Sequence, residues 1–256
     1  MTHSHRSIMG LIALLGAATA AALALPTTAA AGSAPTREYS VTIYNLNHGQ
    51  PLSPPVIATH AGRGVIFSSG RPATYGLQQI SENGDSKPLQ NELAWWRYYR
   101  WVSQYTAADK PLVPAGTPAA AMFGRSVTLR IMAGRGYNRL SWASMIGCSN
   151  DGFTGVDGLH LPQVAGQTTG TYTWGYDAGT ERNTEAFKDI PQGCQGAIGA
   201  KSPFGTMGTN MSNGALWEGR SVGYHAGILG ASNDGLTPAV HGWSGAAGYI
   251  SVTALS

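Results

Sequence analysis

The chain has 256 residues, with 16 Lys or Arg against 13 Asp or Glu, a formal net charge of +3 and 35 glycines. Charged side chains make up only 11% of it, and no basic stripe is interleaved with aromatics, so nucleic acid is not an expected partner. The length suffices for one large domain with its own core.

In chain order, Arg6 and its flanking histidines precede an apolar run from Ile8 to Leu25, and Ala29-Ala30-Ala31 offers a small-residue cleavage site. This reads as a signal peptide over residues 1–31, with an uncleaved anchor as the alternative. Residues 32–37 form a short Ala/Gly/Ser/Pro linker, and 38–256 read as a single domain without internal repeats. Cleavage implies a secreted, extracellular protein, for which the membrane is not an expected partner.

Glu38 to Tyr44 alternates and is rich in β-branched and aromatic residues, the pattern of a strand. Similar segments follow at Gly64 to Ser68, Ser126 to Met132, Arg139 to Ile146, Gly152 to Leu159, Thr171 to Tyr176 and Gly248 to Ala254. Gly, Pro, Asn and Asp clusters separate them as turns. The exception is Lys87 to Ser103, where the spacing of Leu89, Leu93 and Trp96 allows one short helix. Its aromatic density, Trp95 to Trp101, suits packing on a sheet or an exposed platform for a sugar or protein. Gly193 to Gly219 reads as a long surface loop. Seven or more strands with turns between them indicate an all-β, antiparallel β-sandwich.

Two acidic segments stand out in so weakly charged a chain. Tyr176-Asp177-Ala178-Gly179-Thr180-Glu181 carries carboxylates four residues apart on a segment too glycine-rich for a stable helix. Ser149-Asn150-Asp151-Gly152-Phe153 lies about 25 residues earlier and can supply a third carboxylate. Such an oxygen-rich pocket suits a hard cation such as calcium. On the residues alone, Asp177 reads first as a turn residue that accepts backbone N–H groups. Asn150 and Glu185 are candidates for peripheral ligands or for solvated surface, and Asp157 belongs with the Asp157-Gly158 turn. Cys148 and Cys194 flank both acidic segments, and in an exported chain a disulfide is the expected state, with two buried thiols as the alternative. Loop closure would then contribute about 4 kcal/mol before strain.

The five histidines at 48, 60, 160, 225 and 241 show no zinc spacing. His60 reads as a hydrogen-bonded structural residue, while His225 and His241 could serve a second site in the C-terminal part. Gly242-Trp243-Ser244-Gly245-Ala246 lacks the glycine pattern of a hydrolase nucleophile elbow.

Several segments together resemble the spondin domain family: Tyr39 to Leu46, Gly49 to His60, Leu140 to Ile146, Ser149 to Phe153, and Tyr176 to Glu181. They occur in family order and span most of the chain after residue 38. The resemblance implies a spondin-like β-sandwich, similar to calcium-dependent membrane-docking sandwiches, holding one calcium. Carried over residue by residue, the ligands are Asp151, Asp177 and Glu181. Two departures stand at the site: Asn150 replaces a proline, and Glu181 replaces an aspartate. The function so implied is extracellular adhesion or recognition rather than catalysis, with matrix, a surface glycan or a protein as partner and calcium as a structural ion. The rivals are a secreted hydrolase of polysaccharides or esters, and a calcium-dependent membrane-docking module.

Overall fold

The computed structural model describes residues 36–256; the signal peptide and residues 32–35 of the linker lie outside them, and Arg37 of the linker already belongs to the first strand. The strands are β1 (Arg37–Asn45), β2 (Val56–His60), β3 (Val102–Ala107), β4 (Ser126–Ala133), β5 (Arg139–Met145), β6 (Gly152–His160), β7 (Thr168–Thr173), β8 (Gly175–Asp177), β9 (Gly223–Tyr224) and β10 (Gly248–Ala254). Four short helices accompany them: α1 (Tyr75–Asn83), α2 (Lys87–Tyr98), α3 (Gln192–Ile198) and α4 (Pro238–His241). No helix of the described residues is long and apolar enough to cross a membrane.

The strands form two antiparallel sheets, a four-stranded one in the order β4-β1-β10-β7 and a six-stranded one in the order β3-β2-β5-β6-β8-β9. This is the expected all-β sandwich. Strict alternation fixes the smaller sheet: Tyr39, Val41 and Ile43 of β1 point inward, as do Ile250 and Val252 of β10. Their register, Tyr39 opposite Ala254 through Asn45 opposite Gly248, puts these apolar sets on one face. They pack against Ile57, Leu140 and Trp142 of the larger sheet.

The central strands of the larger sheet do not alternate. β2 is buried at every position, and β5 at all but its first. Their outer face is covered by α1 and α2, whose Leu77, Ile80, Leu89 and Leu93 join Val56, Ala58, Ala143 and Phe153 in a second core. A strand buried on both faces reads as a continuous apolar run, which hides its period.

Burial on both faces accounts for the missed β2, and the structure departs from the sequence reading at other places too. Gly64 to Ser68 is no strand but a loop, whose Val65, Ile66 and Phe67 fill the second core. Strands β2 and β3 escape a search for alternation. Helix α1 also goes unforeseen, although Thr74 caps it by accepting from Leu77 N–H and Gly84 closes it at φ 69°. The segment from Gly193 to Gly219 is mostly irregular, yet it carries part of α3 and a short 3-10 turn over Gly214–Leu216.

Helix α2 ends at Tyr98, short of the Ser103 expected, because the chain reverses at Arg100 and β3 begins at Val102. Within and before its aromatic segment, packing and exposure divide by residue. Leu89 and Leu93 pack inward, whereas Trp95, Tyr98, Tyr99 and Trp101 are exposed.

A third, smaller core surrounds the bond between Cys148 and Cys194, with Cα atoms 5.1 Å apart. Phe187, Ile190, Ile228 and Leu236 pack around it. The bridge ties the turn after β5 to α3 and so braces the loops at that end of the sandwich.

Candidate metal centre

The turn joining β5 to β6 is built by Ser149, whose hydroxyl donates to Ile146 C=O at 2.6 Å and accepts from Gly152 N–H at 2.9 Å. A Cβ on Gly152 would sit 2.5 Å from that hydroxyl, so only glycine fits. This turn sets Asp151 at the very end of β6, fully buried. Gly152 pairs with Asp177 across the β6–β8 ladder, and Ala178 N–H donates to Asp151 C=O at 3.2 Å. The two acidic segments of the sequence are therefore neighbours through the sheet itself.

After Asp177 the chain turns sharply. Gly179, at φ 73°, donates its N–H to Asp177 Oδ1 at 2.8 Å. Its glycine identity also admits Arg220, whose carbonyl would lie 2.5 Å from any added Cβ. The turn aims a row of donors at Asp151 Oδ2: Thr180 N–H at 2.7 Å, Thr180 Oγ1 at 3.2 Å and Glu181 N–H at 3.0 Å. Asp151 Oδ1 is buried and accepts from nothing among the described residues.

The third carboxylate is Glu218. One oxygen each from Asp151, Asp177 and Glu218 lies within 4.8 Å of the others, the one such acidic group among the described residues. Three carboxylate oxygens this close could share one metal ion. Glu218 also pairs with the exposed Arg220 at 3.3 Å.

Glu181 is placed differently from the expectation. Its carboxylate turns away and accepts from Asn213 N–H at 2.5 Å, while its own N–H serves Asp151. The reason is local: Glu181 bridges Trp217 across a short antiparallel contact, which presents Glu218 in its stead. Neither peripheral candidate faces the cluster. Asn150 Oδ1 accepts from Glu185 N–H at 3.1 Å, and the Glu185 carboxylate accepts from Leu229 and Ala231 N–H at 2.7 and 2.6 Å. Glu218 lies in a stretch that reads as surface loop. Its only sequence signal is an acid beside a glycine in a chain with few acids.

Burial raises the carboxyl groups of this region. Burial, then repulsion from Asp177, pushes the Asp151 carboxyl up to about 7 against the pull of its N–H donors. Burial and then Asp177 also raise Glu218. Glu181 is raised to about 8 by burial first, then by Glu82, Asp151 and Asp189, against its bond from Asn213.

On the outer side a neutral chain supports Asp177. Gly227 N–H donates to His225 Nδ1 at 2.9 Å, which leaves the ring proton on Nε2 to donate to Asn183 Oδ1 at 3.0 Å. Asn183 Nδ2 in turn donates to Asp177 Oδ2 at 2.6 Å. Burial lowers His225, the nearby Asp177 and Glu185 notwithstanding, so the ring is neutral and serves as a brace. His241 lies elsewhere, its Nδ1 held by Thr237.

No family model matches the chain, and no curated protein matches it significantly.

Proposed function

We propose that the chain is a secreted, spondin-like recognition or adhesion module that holds one calcium between Asp151, Asp177 and Glu218. The observation that carries this reading is Asp151: a fully buried carboxylate with one oxygen saturated by three donors and the other free beside two more acids. Converging carboxylates without a cation cost stability, and a hard divalent ion offsets that cost. The ion would join the β5–β6 turn, the turn after β8 and the loop at Glu218 into one rigid end. The disulfide beside it supports an oxidising compartment, and so export. The partner read from the resemblance is matrix, a surface glycan or a protein.

The hydrolase rival has less behind it. The one Ser–His hydrogen bond among the described residues joins Ser141 to His60 at 2.8 Å, and both are fully buried. Ser141 also accepts from Gly158 N–H, and His60 donates to Gly62 C=O, so the pair reads as a structural brace.

Thermal unfolding with excess calcium and with a chelator tests the site. At a hundredfold excess over Kd, calcium is expected to stabilise the protein by about 2.7 kcal/mol. Asp177→Ala and Glu218→Gln should abolish that increment, while Glu181→Gln should leave most of it. An equal melting temperature with and without calcium would remove the reading.

A further inference from the structure

At the other end of β6 the surface has the opposite character. The loop after β2 and the C-terminus of α2 enclose a cavity of about 310 Å³ lined by Arg63, Gly64, Val65, Trp96, Arg100 and Trp101. Trp96 is half-buried and anchored against the second core, whereas Trp101 is 64% exposed. The wall opposite the indoles is fixed too: Asp157 accepts from Gly64 N–H at 2.7 Å and from the Ser68 hydroxyl at 3.1 Å. Those bonds hold the loop without engaging either arginine.

Both guanidinium groups are unpaired. The two ion pairs among the described residues are Arg130–Glu38 and Arg220–Glu218, so neither Arg63 nor Arg100 has a carboxylate partner. Arg100 is placed at a backbone cost. It stands at φ 62°, in the left-handed position that closes α2 and that glycine fills most readily. Its carbonyl accepts from the Tyr137 hydroxyl at 2.8 Å, and its side chain bonds to nothing among the described residues. An arginine where the fold favours glycine, over a cavity walled by indoles, points to a ligand. Beyond the cavity the outer face of α2 continues with Trp95, Tyr98 and Tyr99, whose rings pack on one another in the open.

We infer that this cavity and the aromatic face of α2 bind an acidic polysaccharide segment, its anionic groups on Arg63 and Arg100 and its sugar rings on the indoles. The unpaired guanidinium forks match carboxylate or sulfate oxygens. Flat aromatic faces suit the C–H faces of pyranose rings, and a cavity of this size is at the small end for a ligand pocket, enough for one or two sugar units. The row of exposed rings then meets the neighbouring units of a chain. A nucleic acid would demand more cations along its path than these arginines. The inference does not rest on the calcium reading, because β6 sets its Gly158 end roughly 20 Å from Asp151 at about 3.3 Å per residue.

The test is titration calorimetry of the full chain in chelator, below its unfolding temperature, with sodium oligogalacturonate, heparin-derived oligosaccharide and a neutral cello-oligosaccharide of equal length. Calcium is absent throughout, so failure of the metal site cannot imitate failure here. Tighter binding of either acidic oligosaccharide than of the neutral one is expected, and the two arms tell carboxylate from sulfate. Arg100→Gly is the decisive variant. It removes the guanidinium while relieving the backbone, so about tenfold weaker binding should accompany an unchanged or higher melting temperature. Trp101→Ala should weaken binding to a similar degree, and Asp177→Ala should leave it unchanged. Equal binding of neutral and acidic chains, tighter binding of single-stranded DNA, unimpaired binding by Arg100→Gly, or no binding at all would each overturn the inference.

Discussion

The two ends of strand β6 differ in how they hold like charges together. At the Gly152 end, Asp151 is buried and Asp177 and Glu218 half-buried, and backbone N–H groups and an amide–imidazole chain fix Asp151 Oδ2 and Asp177 while Asp151 Oδ1 has no donor. At the Gly158 end, Arg63 and Arg100 stand open to solvent with no ion-pair partner, and at Arg100 the cost of placement is borne by the backbone. A buried charge needs an ion to be stable, whereas an exposed one is stable alone and waits for a ligand. The first arrangement therefore couples binding to stability, and the second separates them.

The largest expected break in this comparison comes from Asp151→Ala. Removing the carboxylate leaves Thr180 and Glu181 N–H buried without an acceptor, a loss of about 3 kcal/mol that calcium cannot restore. Asp151→Asn sharpens the point. The amide oxygen keeps the acceptor, the negative charge is gone, and its N–H2 can donate to the two remaining acids. This variant should equal or exceed the unsubstituted protein in chelator at pH 8, yet fall below it in calcium. Melting curves under the four conditions decide it; an Asn variant weaker in both would mean that the buried carboxylate is stabilising by itself.

The two ends should also answer pH in opposite senses. Asp151 and Glu181 are raised from 3.8 and 4.5 to about 7 and 8. Acids so raised stabilise the fold fully below pH about 4, and that contribution is lost as pH rises through 7 to 8. His60, next to the arginine cavity, is lowered from 6.5 to about 4, chiefly by burial, although its bond to Gly62 opposes this. Its contribution is complete above pH 6.5 and is lost as pH falls through 4, about 3 kcal/mol in all. Urea unfolding in chelator should thus show a decline from pH 6.5 to 8, where nothing at His60 opposes it. Calcium should flatten the part of that decline that comes from Asp151, and His60→Gln should remove the loss on the acid side alone. A chelated protein equally stable at pH 6.5 and 8 would contradict the burial, and the repulsion behind it, that raise these acids.

Legibility in the sequence follows the same physics. Strands β1, β4 and β10 are visible because alternation survives where one face meets the core. Strand β2 and the loop at Val65-Ile66-Phe67 are hard to tell apart because both are buried along their length, which erases the period. At the acidic end Asp151 and Asp177 stand out because glycines flank them and a ladder joins them. Glu218 does not, since it arrives through a bridge between Glu181 and Trp217 that no spacing encodes. The aromatic segment announces itself by composition, but which rings turn outward depends on where α2 stops.

The smallest expected effect contrasts the two non-glycine residues at positive φ, Glu185 at 56° and Arg100 at 62°. Each forgoes roughly 1 kcal/mol relative to a glycine there. Glu185 has a structural return: its buried carboxylate accepts from Leu229 and Ala231 N–H, which pins the C-terminal loop. Glu185→Gly should therefore destabilise by about 1 to 2 kcal/mol net, since two lost charge-assisted bonds outweigh the relieved backbone. Arg100 has no such return within the fold, so Arg100→Gly should stabilise by about 0.5 to 1 kcal/mol. Chemical unfolding of the two variants at pH 6.5 checks both signs. If Arg100→Gly destabilised the protein as Glu185→Gly does, the guanidinium would be a structural element of the fold, and its position over the indole-walled cavity would need no ligand to explain it.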